Sequence, residues 1–475
     1  MTINRLHIFV LFMLACLSAN SQSHGLGCMY DPETDGKVSL RPRLTTRDYA
    51  ILPKAHSLKK YCPTPKSQGP HGTCTAWSTT YGARTICEAI SYGWTNKDSI
   101  NKDMFSPIFI YKQLAHQSDC NEGISVAKAL GLLKSKGAPK LQSFDVLCAD
   151  YIPNVLYSEA SNYKIDDYTT LFNKYSGYLP DKVLSVKKAL TEDHPVVFAM
   201  DVYESFDICD SLWNGLRDVL RGPHAMCVIG YDDEKFGGAF EILNSWGTEW
   251  ASGGYVWIKY EDFCKSADYA YDVYLKKKVQ PTPIPTPIQK KYSMSGDMWI
   301  IERDGGGSPL VINDDLDGIS YYYMTEDYPS GKKFRLSVSN HEPAWIYVIA
   351  SDMQNQVTTL FPYADNISAY LNYSENNIAI PDEMHEFELD NTSGIDYFCV
   401  LYSQEELNIN NLVTEIGRAS GTFYDKLKIV LGNKLASKAD IRYIQNNIGF
   451  SAKTDSPIVP LVVEISHKDI AVDYQ

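Results

Sequence analysis

The stretch SQGPHGTCTAWS (residues 67–78) places Gln68 six residues before Cys74, and Cys74 opens a run with helical spacing of apolar residues up to Tyr92. A cysteine in the first turn of a helix lies near the positive end of the helix dipole, which stabilises a thiolate and lowers the thiol pKa. The Gln68 amide and the Cys74 N–H offer two donors for an oxyanion. Because a lone cysteine in a helix is more often a packing residue, the interpretation of Cys74 as a nucleophile requires a base elsewhere in the chain.

Two later stretches supply the base and a group to orient it. GPHAMCVIGYDD (222–233) carries His224 at the start of an apolar strand, and ILNSWGTEWASGGYVWIKY (242–260) carries Asn244 at the end of another. An asparagine amide oxygen accepts a hydrogen bond from one imidazole nitrogen and leaves the other for the sulfur. Trp246 follows and would shield that hydrogen bond from water. His224 alone would fit a core histidine equally well, so the interpretation rests on the whole set.

These stretches resemble the three signature blocks of papain-like cysteine proteases, and CNEGISVAKALGLL (120–133) and LPKAHSLKKYCPTPKSQG (52–69) resemble flanking parts of the same family. The similarity covers about residues 52–278. Cys74 and His224 stand 150 residues apart, as the family pattern requires, and Asn244 stands 170 after Cys74.

The resemblance implies a role for each matching position. Cys74 would be the nucleophile, His224 the base and then the acid, Asn244 the orienting residue and Gln68 the oxyanion donor. The substrate-binding residues would be Gly123, Ala225 and Trp246: Gly123 matches the wall glycine that pairs with the substrate backbone, and Ala225 matches a residue of the pocket for the side chain two before the cut bond. No cofactor and no metal is implied.

The chain departs from the family pattern at several positions. His71 stands where a cysteine usually pairs with the position of Cys120, so Cys120 is expected to pair with Cys148 instead. Pro223 replaces a common acidic residue before the histidine. Only about thirty residues separate the signal sequence from Leu52, too few for a folded pro-domain. Latency would therefore come from a short plug or from the second domain, or would not be needed.

Composition and the N-terminus restrict the class of protein. The net charge of −14 argues against nucleic-acid binding. Residues 1–21 have a basic residue, an apolar core and a small-residue cleavage site, which predicts a signal peptide and a secreted, periplasmic or cell-surface protein. A lipid anchor at Cys16 is the less favoured variant. No later apolar run is long enough for a transmembrane span, and no C-x-x-C pair suggests zinc.

A chain of 475 residues is too long to fold around one compact core, so two or more domains are expected. VQPTPIPTPIQKKY (279–292) is a proline-rich linker, which gives the expected organisation: signal peptide 1–21, N-terminal extension 22–51, papain-like domain 52–278, linker 279–291 and accessory domain 292–475. Helices followed by strands predict an α+β first domain with a helical lobe and an antiparallel β lobe. Alternating strands predict a β-sandwich-like second domain with one helix near residues 404–415, announced by Ser403 and Glu406.

The sequence thus predicts an exported cysteine endopeptidase that acts on proteins or peptides, with a C-terminal domain for docking to a surface or partner, or for regulation. Two alternatives stay open: an inactive papain-like binding protein, and a different acyl-transfer enzyme of the amidase or transglutaminase type.

Overall fold

A computed structural model describes residues 24–117, 119–174, 179–276, 290–302, 310–313, 319–352, 356–373, 376–445 and 447–468. The predicted signal peptide lies outside the described residues, and so does nearly all of the predicted linker. We refer to residues 24–52 as the N-terminal segment, to residues 55–276 as the first domain and to residues 290–468 as the C-terminal region.

The first domain begins with a helical lobe. Its longest helical run starts at Cys74, has π-helical geometry in its middle, and ends where Gly93 adopts a left-handed conformation with φ of 67°. The buried face of this run packs against the helix that follows Ser125 and against the strand that carries His224. The helices of the first domain and of the segment before it are Thr46–Ala50, Cys74–Ala76, Trp77–Arg84, Thr85–Tyr92, Lys97–Lys102, Pro107–Leu114, Val126–Ser135, Val155–Ala160, Leu179–Thr191, Glu204–Asp207 and Tyr260–Ser266.

An eight-stranded, mostly antiparallel sheet forms the other lobe. The strand that carries His224 is central and has nearly all of its second half buried. In spatial order the strands are Asp167–Phe172, Ala267–Tyr274, Val196–Tyr203, Leu220–Asp232, Ala239–Leu243, Tyr255–Lys259 and Leu212–Trp213, and Ala55–Ser57 adds to Leu220–Asp232. Four short apolar runs, which the sequence predicts as strands at residues 195–200, 224–231, 239–243 and 254–260, all fall in this sheet. The prediction of an α+β first domain is confirmed.

The C-terminal region is built from two sheets. One contains Asn376–Ile380, Lys333–Asn340, Tyr292–Glu302, Ile448–Thr454, Ile441–Tyr443 and Phe387–Glu388. The other contains Leu310–Asn313, Tyr321–Met324, Tyr328–Pro329, Ile458–Lys468, Gly394–Ser403, Ala344–Ser351, Val357–Phe361 and Tyr370–Leu371. The prediction of a β-rich region is confirmed.

The helix prediction in this region was partly wrong. The helix is Ile409–Arg418, and its N-cap is Asn408, whose side chain accepts from the Asn411 N–H. The Ser403 hydroxyl donates to the Glu405 carbonyl and caps nothing, because its strand continues to Ser403 itself. A second helix, Phe423–Leu431, was not predicted, although Thr422 and Asp425 form a capping box at its start.

One disulfide joins Cys120 to Cys148, with their Cα atoms 5.8 Å apart, as expected from the missing family cysteine at His71. Among the described helices we find none with the length and apolar character that crossing a bilayer requires.

Candidate active site

Cys74 lies at the start of its helix and is fully buried. Its sulfur accepts a hydrogen bond from the Gly27 N–H at 3.2 Å, and the Ala225 N–H points at it as well. Since Ala225 directly follows His224, the residues predicted as nucleophile and base both lie in the region where this helix packs on the central strand. Burial raises the pKa of the Cys74 thiol, and the N–H groups of Ala225 and Gly27 oppose that rise. The expectation of a lowered thiol pKa is therefore not met in this arrangement, because desolvation outweighs the helix terminus.

His224 is oriented as the sequence predicts. Its Nε2 lies 2.8 Å from the Asn244 Oδ1, and the Trp246 ring stacks on the imidazole with 4.8 Å between ring centroids. Because Asn244 Oδ1 can only accept, Nε2 carries the proton and Nδ1 keeps its lone pair. Among the described residues Nδ1 has no hydrogen-bond partner. Burial lowers the pKa of His224 to about 4, so this imidazole is neutral at physiological pH.

Gln68 is fixed from both ends of its amide. Its Oε1 accepts from the Ser245 hydroxyl at 2.5 Å, while its Nε2 donates to the Gly25 carbonyl at 3.1 Å and to the His71 carbonyl at 2.8 Å. The side chain is completely buried. An amide held in this way presents its N–H to a peptide carbonyl in the cleft, which is the role expected of an oxyanion donor.

Residues 24–29, which we call the blocking segment, fill the cleft over these groups. His24 stacks on Trp246 with 4.4 Å between ring centroids, and Cys28–Met29 pairs as a parallel strand with Ile124–Ser125. Cys74 and His224 both have 0% exposed surface. The Cys74 sulfur is therefore closed to molecules in solution while the blocking segment occupies this place.

Two glycines allow this close approach. A Cβ atom on Gly25 would lie 1.9 Å from the His71 carbonyl oxygen, and one on Gly27 would lie 1.8 Å from the Gly72 carbonyl oxygen. Contacts this short are sterically forbidden, so only glycine fits at either position.

The three substrate-binding positions expected from the resemblance also border the blocking segment. A Cβ on Gly123 would come within 3.3 Å of the Gly27 backbone, and the next residue, Ile124, donates its N–H to the Gly27 carbonyl at 3.1 Å. Ala225 is fully buried beside the sulfur, and Trp246 lies under His24. The structure thus brings all seven predicted site residues to one cleft.

The sequence left a short plug open as one source of latency but did not place it at residues 24–29. The spacing Gly25-Leu26-Gly27, just after the predicted cleavage site, was the available sign of a backbone that approaches another backbone closely. Within the described part of the chain, no cluster of three or more His, Cys, Asp or Glu side chains has the arrangement of a metal site.

Two parts of the chain match known protein families. Residues 56–274 match the model of the papain family cysteine protease, and residues 327–406 match that of a domain of unknown function (DUF4384). A peptidase C1-like protein of Acanthamoeba polyphaga mimivirus is 25% identical over 224 residues, which is 45% of this chain and 69% of the relative. Cathepsin B-like cysteine proteinase 3 of Ostertagia ostertagi is 31% identical over 94 residues, 20% of this chain and 52% of that protein.

Among solved structures, xylellain, a cysteine protease from Xylella fastidiosa, is 22% identical with a TM-score of 0.42, over 54% of this chain and 96% of xylellain.

Proposed function

We propose, from the match of residues 56–274 to the papain family cysteine protease model and of residues 327–406 to that of a domain of unknown function, that this chain is an exported endopeptidase that uses Cys74, His224, Asn244 and Gln68. The observation that carries the proposal is the Gln68 amide bound to a peptide carbonyl, that of Gly25, beside a buried cysteine and an Asn-oriented histidine. A substrate carbonyl would take a similar place once the cleft opens.

The proposed reaction follows from these contacts. The Cys74 thiol gives its proton to His224 Nδ1, and the thiolate attacks the carbonyl carbon of the substrate. The Gln68 Nε2–H and the Cys74 backbone N–H stabilise the oxyanion. His224 then protonates the departing amine, and the C–N bond breaks to leave an acyl-enzyme thioester. A water molecule, deprotonated by His224, hydrolyses the thioester and restores the thiol.

Opening of the cleft is part of this proposal because it changes the protonation of the pair. In the closed arrangement burial raises the pKa of Cys74 and lowers that of His224 to about 4, so the neutral forms of both are favoured. Access of water to the cleft would remove most of that desolvation. We expect the thiolate–imidazolium pair to form only then, with Gly123, Ala225 and Trp246 lining the substrate path.

Export is proposed from the pattern of residues 1–21, with a lipid anchor at Cys16 as the alternative. The disulfide between Cys120 and Cys148 supports it, because such bonds persist in oxidising compartments. The boundaries 52–278, 279–291 and 292–475, the sandwich-like arrangement of the accessory domain and its docking or regulatory role belong to the same proposal.

Covalent labelling tests the proposed chemistry. The full chain is incubated with a thiol-directed epoxysuccinyl inhibitor, and the modified residue is located by mass spectrometry; we expect one adduct, on Cys74, and none in Cys74→Ala. Hydrolysis of a quenched-fluorescence peptide library should be lost in the same variant. Labelling elsewhere, or peptides that bind and stay intact, would favour the inactive binding protein. Transfer of the acyl group to an added amine in preference to water would favour the other acyl-transfer enzymes.

A further inference from the structure

The N-terminal segment continues from the cleft to the C-terminal region. We call residues 38–49 the strap. Within it, the Leu40 N–H donates to the Asn366 carbonyl at 2.7 Å and the Leu40 carbonyl accepts from the Ser368 N–H at 2.8 Å. The next N–H, that of Arg41, donates to the Thr170 carbonyl of the first domain at 2.8 Å. The strap therefore makes backbone bonds with both parts of the molecule at adjacent residues.

Two side chains of the C-terminal region hold the strap further on. Glu383 accepts from the Thr46 N–H at 2.9 Å and from the Thr46 hydroxyl at 2.8 Å, and it pairs with Arg43 at 3.3 Å. Asn377 donates its N–H and its side-chain amide to the two oxygens of the Asp48 carboxylate, at 3.1 and 3.0 Å. Charge-assisted bonds of this kind are stronger than neutral ones, so residues 366–373 and 376–383 form a specific surface for the strap.

A buried ionic junction closes the space between the strap and both domains. The Arg41 guanidinium binds the Asp272 carboxylate of the first domain at 2.5 Å and stacks on the Tyr373 ring at 3.8 Å. Asn372 also donates to Asp272, at 3.4 Å. Asp272 is completely buried and Arg41 is 7% exposed. Because an unpaired charge at such a site is costly, the strap and the two domains are stabilised together.

Between the blocking segment and the strap, the chain is held by Asp35. Its carboxylate accepts from the Ser125 hydroxyl, the Ala127 N–H and the Tyr271 hydroxyl at 2.8, 3.1 and 2.9 Å. These contacts lie on the first domain. Further along the N-terminal segment, after Asp35, the next residues that are held in place belong to the strap. The strap contacts the C-terminal region. Holding the strap adds a second anchor after Asp35 and limits how far the N-terminal segment can move away, which raises the effective concentration of the blocking segment at the cleft.

We propose that the surface formed by residues 366–373 and 376–383 of the C-terminal region binds the strap and thereby keeps the blocking segment in the cleft, so that the C-terminal region is an intramolecular regulator of the protease. This inference rests on the proposed function. It assigns to this region the regulatory role left open by the sequence, and it identifies the partner of that surface as the chain's own N-terminal segment. Release of the strap favours opening of the cleft.

The first test compares labelling rates of Cys74 in full-length variants. Glu383→Ala combined with Asn377→Ala should be labelled by the epoxysuccinyl inhibitor about fourfold faster than wild type, because the N-terminal segment then loses the side-chain contacts of Glu383 and Asn377 and keeps only its anchors at Asp35, Leu40 and Arg41. Glu386→Ala, in the same loop but absent from the strap contacts of the described residues, is the matched control and should react at the wild-type rate. The added methyl group of Gly27→Ala displaces the blocking segment directly. The labelling rate of Cys74 in this variant is therefore the reference value for an open cleft.

The labelling rates distinguish a failure of the regulatory proposal from a failure of the proposed protease function. If Gly27→Ala reacts fast and the double variant reacts at the wild-type rate, the regulatory role is wrong while the protease stands. If Cys74 in Gly27→Ala is neither labelled nor able to cleave peptides, the proposed function fails first.

A second measurement on the wild-type chain covers the case in which the double variant folds poorly. Hydrogen exchange is compared before and after complete labelling of Cys74, which expels the blocking segment. Because coupling is reciprocal, we expect faster exchange at the Ser368 and Asn377 amides as well as in residues 24–49. Faster exchange confined to residues 24–29 would overturn the proposal.

Discussion

Two buried cysteines, one in each part of the molecule, differ only in their surroundings. Cys74 and Cys399 both have 0% exposed surface. For Cys399, burial is the cause that raises the thiol pKa. Burial also raises the pKa of Cys74, but three backbone N–H groups, from Ala225, Gly27 and Thr75, oppose the rise. Reactivity is therefore a property of the oriented neighbours and of access to the sulfur, and burial by itself does not distinguish a packing thiol from a nucleophile.

The largest effect is expected at the oxyanion donor. Gln68→Ala, made in the Gly27→Ala background so that the cleft is open, should lower kcat by about 10² to 10³ with little change in KM, because the donor acts mainly in the transition state. Peptide hydrolysis under steady-state conditions measures both constants. Gln117→Ala, an exposed change in the same lobe, is the control. A rise in KM at constant kcat would show that Gln68 only binds substrate.

Low pH should favour opening of the cleft, because His24 binds a proton more readily when it is released than when it is held in the cleft. Burial and the nearby Arg221 charge lower the pKa of His24 in the closed state, whereas a released His24 has an ordinary pKa of about 6.5. The closed state thus binds fewer protons, and its stability relative to the open state falls as pH drops through that value. Proton transfer from Cys74 to His224 leaves the total number of bound protons unchanged and adds no such dependence.

The reaction of Cys74 with dipyridyl disulfide, which stays reactive in acid, measures this opening. Between about pH 7.5 and about pH 5.5, the wild-type rate should rise severalfold relative to Gly27→Ala. His24→Phe keeps an aromatic ring over Trp246 and should remove the pH dependence. A constant ratio between wild type and Gly27→Ala across this range would contradict the role of His24.

The smallest effect is expected at Cys399, the buried cysteine of the C-terminal region. Cys399→Ala should lower Tm by only about 2 °C through a small loss of packing, and Cys74 should react at an unchanged rate. Scanning calorimetry and labelling measure the two quantities. A large change in the reactivity of Cys74 would mean that the core of the C-terminal region, and not only its surface at residues 366–373 and 376–383, is coupled to the cleft.

The candidate site residues could be proposed from the family resemblance because the chemistry of that family restricts residue types at fixed spacings, and their catalytic roles stay predictions. Cysteine, histidine, asparagine and glutamine each perform a step that few other side chains perform, so Cys74, His224, Asn244 and Gln68 stand out in the sequence. The strands around residues 195–260 and 333–466 could be predicted from runs and alternation of apolar residues. Because the chemistry restricts which residue types can stand at these positions, the seven predicted site residues border one cleft.

What could not be predicted depends on backbone contacts between distant residues. Gly25 and Gly27 face the carbonyls of His71 and Gly72, and Leu40 bonds to Asn366 and Ser368. Such bonds leave no periodic pattern, since any residue supplies an N–H and a carbonyl. The helix start at Ile409 was missed for a local reason. Ser403 ends a strand, and Asn408 provides the helix cap.

The central claim is that residues 24–29 close a reactive site at Cys74, and the labelling rate of Gly27→Ala tests it most directly. The added methyl group would lie 1.8 Å from the Gly72 carbonyl oxygen, whereas in the control, Gly36→Ala, it meets only the Tyr30 hydroxyl at 3.7 Å. We predict that Gly27→Ala is labelled by the epoxysuccinyl inhibitor at least about tenfold faster than wild type and that Gly36→Ala matches wild type. Equal rates in all three proteins would contradict the account.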